Sequence, residues 1–130
     1  MPDVSYLAVL VAIVVAFALS GLWYGTLGDN LAELHEAYAT PDRSRAATMV
    51  VELARNVVVA LVTAGLVNRM GLARLVDGLV LGLALWAGFP AVILAGSVFH
   101  EKVPPTLAVI HAGDWLLKLL VIAGIVAVWQ

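Results

Sequence analysis

Residues 107–129, LAVIHAGDWLLKLLVIAGIVAVW, decide the fold of this chain. The run is apolar or small throughout except at His111, Asp114 and Lys118. A helix needs about 20 such residues to cross a hydrocarbon core of about 30 Å. The run is too long and alternates too little for a barrel strand. Only helices and closed barrels satisfy their backbone groups in lipid. The three polar side chains fall at i, i+3 and i+7, which is one face of a helix. This segment therefore predicts a membrane-spanning helix with a single polar stripe.

Three further apolar segments precede it. Together the four predict helices over about residues 5–24, 42–68, 73–99 and 106–129, forming one transmembrane domain. The fold class is all-α, an integral membrane four-helix bundle with a short interfacial helix between helices 1 and 2. Asp29 or Asn30 is a suitable cap for that short helix, and Leu31, Leu34 and Tyr38 place an apolar stripe along it. Thr40-Pro41 reads as N-cap and first turn of the second helix, which then begins before it reaches lipid. Met70-Gly71 reads as a tight turn, and residues 103–106, VPPT, break the chain before the last helix. Pro90, just after Gly88, predicts a kink inside the third helix.

Composition agrees. Of 130 residues, 63% are hydrophobic and 12% charged, against roughly 25% charged in a soluble domain. Mean hydropathy is +1.03. A soluble chain this small keeps much of its surface exposed and has no means of hiding so much apolar area, so the lipid bilayer is the expected partner. The net charge of −2 and the lack of a basic run exclude nucleic acid. The absence of cysteine excludes disulfides, thiolate zinc sites and iron–sulfur ligation. Met1-Pro2-Asp3 carries no Lys or Arg, unlike a secretory signal, so the first segment is read as a retained helix. Arg69 and Arg74, close to the membrane edge, favour termini in the cytoplasm of a cell membrane; Arg43, Arg45 and Lys102 on the other side pull against this.

The second segment also carries charges, at Glu52 and Arg55, with Asn56 beside them. Helices 2 and 4 run the same way through the membrane. At about 1.5 Å per residue, Glu52 and Asp114 lie roughly 8–10 Å in and Arg55 and Lys118 roughly 12–15 Å in. A charge facing lipid costs at least about 2.5–3.5 kcal/mol, so both stripes are expected to face inward. Cross-helix pairing is predicted, Glu52 with Lys118 and Arg55 with Asp114. Ser20, Trp23 and Tyr24 close helix 1 at the same end, and Ser97, Phe99 and His100 close helix 3 there. The aromatic residues are expected to act as an interfacial belt. Asp77 stands apart and is expected to pair with Arg74.

Two readings of the cluster stand. It locks two helices in register as structural salt bridges, or it lines a one-sided polar cavity for a small polar solute, ion or proton. The candidate cavity residues are Glu52, Arg55, Asn56, His111, Asp114, Lys118, Trp23, Tyr24 and His100. An intramembrane enzyme using His111 and Asp114 as acid and base is a third reading. No nucleophile elbow, P-loop or dinucleotide fingerprint appears, and neither enzyme activity nor a cofactor is expected. His and carboxylate spacings do not match metal-binding motifs, so no metal is expected. Gly78-x-x-x-Gly82 marks a close helix approach, read as packing within the bundle ahead of a dimer interface. Four spans leave little room for a path through one chain, so transport implies a homo-oligomer or a membrane partner protein.

Two stretches together carry a family resemblance: residues 20–28, SGLWYGTLG, and the last helix, HAGDWL at 111–116 through AGIVAVW at 123–129. With its length and four spans, the chain resembles the bacterial membrane family catalogued as domain of unknown function 1761. The resemblance implies a further aromatic and a basic residue after Leu27-Gly28, where this chain has Asp29-Asn30. It implies the fold and no activity.

Overall fold

The computed structural model describes residues 5–34 and 45–129. Five helices carry them: α1 (Tyr6–Leu34), α2 (Arg45–Met70), α3 (Leu75–Gly88), α4 (Pro90–His100) and α5 (Pro105–Val128). They make four spans of membrane-crossing length and hydropathy, Tyr6–Thr26, Ala46–Met70, Leu75–His100 and Pro105–Val128. No strand occurs among the described residues. The protein is a multi-pass, all-helical membrane bundle.

α1 runs past Tyr24 without interruption to Leu34. Asp29 and Asn30 lie inside this helix instead of capping a new one; once a long helix is nucleated, each added turn gains a hydrogen bond per residue at little cost. The remainder of the expected interfacial helix, and the Thr40-Pro41 start of the second span, fall on residues outside the described ones. The third span is two helices, as Pro90 requires. Proline has no N–H to offer the carbonyl of Trp86, and Phe89 takes φ −123°, ψ −80° at the joint. Hydrogen bonding resumes on both sides: Phe89 N–H donates to Leu85 O at 3.1 Å and Ile93 N–H to Phe89 O at 2.9 Å. Between α2 and α3, Gly71 adopts φ +68°, Leu72 N–H donates to Val67 O and Gly71 N–H to Asn68 O. This is the paired helix-end motif that favours glycine at the left-handed position. Arg74 grips Asp77 through two hydrogen bonds, 3.0 and 3.1 Å, as expected.

α5 is the hub. It packs against all four other helices, and α1 also packs on α2. α3 and α4 contact each other and α5 but make no substantial contact with α1 or α2. The core joins Val9, Ala12, Ile13 and Ala16 of α1 to Ala60, Ala64 and Val67 of α2 and to Ile122, Val126 and Ala127 of α5. On each helix these positions repeat every three or four residues, one inward stripe. Half are alanine, which lets backbones approach where hydrophobic driving force between helices is weak.

The glycine pair packs within the bundle. A Cβ at Gly78 would lie 2.6 Å from Ala123 O, and one at Gly82 would lie 2.8 Å from Leu119 O. Backbone meets backbone here, with no flexible side chain to give way. Gly82→Ala should therefore lower the melting temperature in detergent. Gly96→Ala, whose Cβ meets nothing within 4 Å, should be stabilising by about 0.5–1 kcal/mol through helix propensity alone. Thermal unfolding followed by circular dichroism checks both signs.

Candidate functional site

Three helices present a polar face to one another at the end of the bundle away from this core. Ser20, Gly21 and Tyr24 follow Phe17 along one face of α1. Thr48, Met49, Glu52, Arg55 and Asn56 form one face of α2, and His111, Asp114 and Trp115 one face of α5. With Leu94 of α4 these residues line a cavity of about 710 Å³, within the roughly 300–1,000 Å³ of small-ligand sites. The opposite half of the bundle has a smaller groove between α3 and α5, lined by Leu75, Leu79, Leu120 and other apolar or small residues.

The charges pair differently from the expectation. Arg55 Nη1 donates to Glu52 Oε1 at 2.6 Å on the same helix. Lys118 Nζ lies 3.5 Å from Asp114 Oδ2, also within one helix. Among the described residues no ion pair links α2 to α5. Side chains at i,i+3 and i,i+4 are already neighbours on a helix surface, so these pairs need no help from packing, and the cavity keeps the two helices' charged faces apart. The link between them is aromatic. The Trp115 ring lies beneath both cations, 4.6 Å from Lys118 Nζ and 5.6 Å from Arg55 Cζ. Such contacts contribute about 0.5–1 kcal/mol when exposed and about 2 when desolvated.

The two pairs also differ in exposure. Arg55 keeps 50% of its side chain exposed, whereas Lys118 keeps 2%. Asp114 is buried too, and its second oxygen accepts a 2.6 Å hydrogen bond from the Ser20 hydroxyl. Ser20 thus ties α1 to the buried pair. Asn56, 1% exposed, lines the same cavity, and neither its Oδ1 nor its Nδ2 has a hydrogen-bond partner.

Trp23 and Tyr24, half-buried near the end of the first span, reach inward to α5. The Trp23 indole N–H donates to Ile110 O at 2.8 Å. Its ring lies where a Cβ on residue 113 would be, so Gly113 is what lets it close on α5. The Tyr24 hydroxyl and His111 Nδ1 are 2.6 Å apart, with the rings tilted at 49°. On the other flank of α5, the Trp86 indole N–H donates to Ala112 O at 2.9 Å.

Of the residues singled out from sequence, Glu52, Arg55, Asn56, His111, Asp114 and Tyr24 line the cavity. Lys118 lies behind it against Asp114 and Trp115, and Trp23 packs beside it. His100 is exposed, edge-on to Phe99, and Ser97 bonds back to Ile93 O of its own helix. The sequence reading did not place Trp115 in the site; its spacing of four from His111 and three from Lys118 is the signal that puts it on the charged face. Among the described residues no three His, Asp or Glu side chains gather as metal ligands would.

No curated protein matches this chain, and no solved structure does. A family model described as "Protein of unknown function (DUF1761)" matches residues 7–127. The match runs from the first turn of α1 to the last turn of α5 and covers nearly all of the chain, which therefore belongs to the DUF1761 family of proteins of unknown function.

Proposed function

We propose that this membrane protein binds a small polar group in its one-sided cavity and has no catalytic role. Asn56 carries the reading. A buried amide left without partners costs about 1–3 kcal/mol, and this one sits on the wall of a cavity large enough for a ligand. A bound group offering one donor and one acceptor would satisfy it once the side chain turns its covered amide toward the cavity. The neighbouring charges fit the same role, since they are paired within their own helices and no ion pair among the described residues fastens α2 to α5.

The reading places the protein in the cell membrane with its termini in the cytoplasm. The cavity then opens on the outer side, because the ends of α1 and α4 and the starts of α2 and α5 lie together there. The core of the opposite half is apolar, so carriage of a polar group across the membrane would require an oligomer. The alternative is a non-catalytic accessory subunit. It draws on one observation: the third span is the least buried of the four, and α4 buries none of its residues.

Two variants test the reading in a thermal-shift screen of small polar solutes in detergent. Asn56→Leu should raise the ligand-free stability by about 1–3 kcal/mol and remove the shift given by any solute that stabilises the parent. A fall in ligand-free stability, with no solute shifting the parent, would sink the proposal. Lys118→Met should destabilise by about 3–5 kcal/mol, because it strands the Asp114 carboxylate. The double variant Asp114→Asn/Lys118→Met should recover much of that loss, as chemical denaturation would show.

A further inference from the structure

Among the described residues, the walls of the cavity are incomplete on one side. α2 and α4 both line it, yet they make no substantial contact with each other. Helical periodicity locates the gap. Going round α5, Trp115 falls between the face of His111 and Asp114, which looks onto the cavity, and the face of Ala112, which receives Trp86 from α3. The opening between α2 and α4 thus runs past Trp115, sideways into the bilayer. Arg55 stands over that same ring.

The exposure of Arg55 is hard to reconcile with bare hydrocarbon. Half of its side chain is uncovered inside a membrane-spanning helix, where a lipid-facing charge costs at least about 2.5–3.5 kcal/mol. One of its five N–H groups is used on Glu52, and no other partner occurs among the described residues. Something polar must cover it, and beside its polar side chains the cavity lining carries an apolar set, Phe17, Met49 and Leu94. Among the described residues, Glu52 and Asp114 of the lining are matched by Arg55 and by Lys118 behind it, so the charged groups of the site are already answered within their own helices.

Resting on the cavity reading above, we infer that the ligand is a membrane-dissolved amphiphile that enters sideways between α2 and α4. Its uncharged head, bearing hydroxyl or carbonyl oxygens, accepts hydrogen bonds from Arg55, and its hydrocarbon chain lies along Phe17, Met49 and Leu94 and leaves through the gap.

The test uses the full chain in proteoliposomes with a monoacylglycerol carrying a photoreactive diazirine near the chain end. Adducts are located by mass spectrometry of the digested protein. The expected result is labelling concentrated at Phe17, Met49 and Leu94, reduced several-fold by excess monoolein and unaffected by free glycerol. Leu94→Trp, which fills the passage, should reduce labelling at Met49 several-fold while leaving that at the outward-facing Val80 and Leu83 unchanged. Circular dichroism of the variant confirms that it is folded; if it is not, Leu94→Phe takes its place. Labelling spread evenly over Val80, Leu83 and the cavity residues, insensitive to monoolein, would overturn lateral access. If free glycerol competes, or a water-soluble solute still gives the Asn56-dependent thermal shift while labelling fails, the cavity reading survives and only this inference falls. If neither probe nor solute acts, both fall.

Discussion

An ammonium and a carboxylate one turn apart on a helix cannot face hydrocarbon, and the arrangement of this protein follows from that constraint. Lys118 and Asp114 sit on α5 and are almost fully covered. Covering them takes neighbours on every side, and α5 is the helix that all the others touch. Ser20 reaches across from α1 to the carboxylate, Trp115 shields the ammonium, and two indole N–H groups hold the backbone of the same turn from either flank. The buried pair and the central position of α5 are two descriptions of one requirement.

The architecture was readable because lipid imposes strong rules on sequence. Span length, the Pro90 break, the Gly71 turn, the Arg74–Asp77 pair and the close approach at Gly78 and Gly82 each follow from a local restriction on backbone or burial. The candidate site was readable as a set of residues, since intramembrane polar groups are few, and less so as a set of contacts. Choosing between cross-helix and same-helix pairing depends on the distance between α2 and α5, which neither helix's own sequence fixes. Trp23 and Tyr24 show the same limit: an aromatic pair at a helix end suits a belt or an inward anchor equally. Gly113, far away in the chain, is what admits Trp23. His100 shares the depth of the cluster, but α4 turns it outward.

Same-helix pairing also changes what the charges are for. A salt bridge between two helices fixes their register, and its loss would shear them apart. Pairs confined to one helix neutralise charge locally and leave the helices free to stand apart. In this protein the space so preserved is the cavity, with a neutralised polar wall formed by Glu52 and Arg55 and an unsatisfied amide beside it.

The isolation of α3 and α4 from α1 and α2 bears on how the protein is made. A membrane chain is inserted from its N-terminus, and α1 and α2 have each other to pack on as soon as both are in the bilayer. The third span has no such partner. Gly78 and Gly82 are shaped to the backbone of α5, which is synthesised after them. Until that last helix arrives, the third span stands alone in lipid, and Ser20 waits without its carboxylate. Assembly is therefore completed by the C-terminal segment, and a chain cut short before α5 would leave a helical pair and a separate span with no bundle and no cavity.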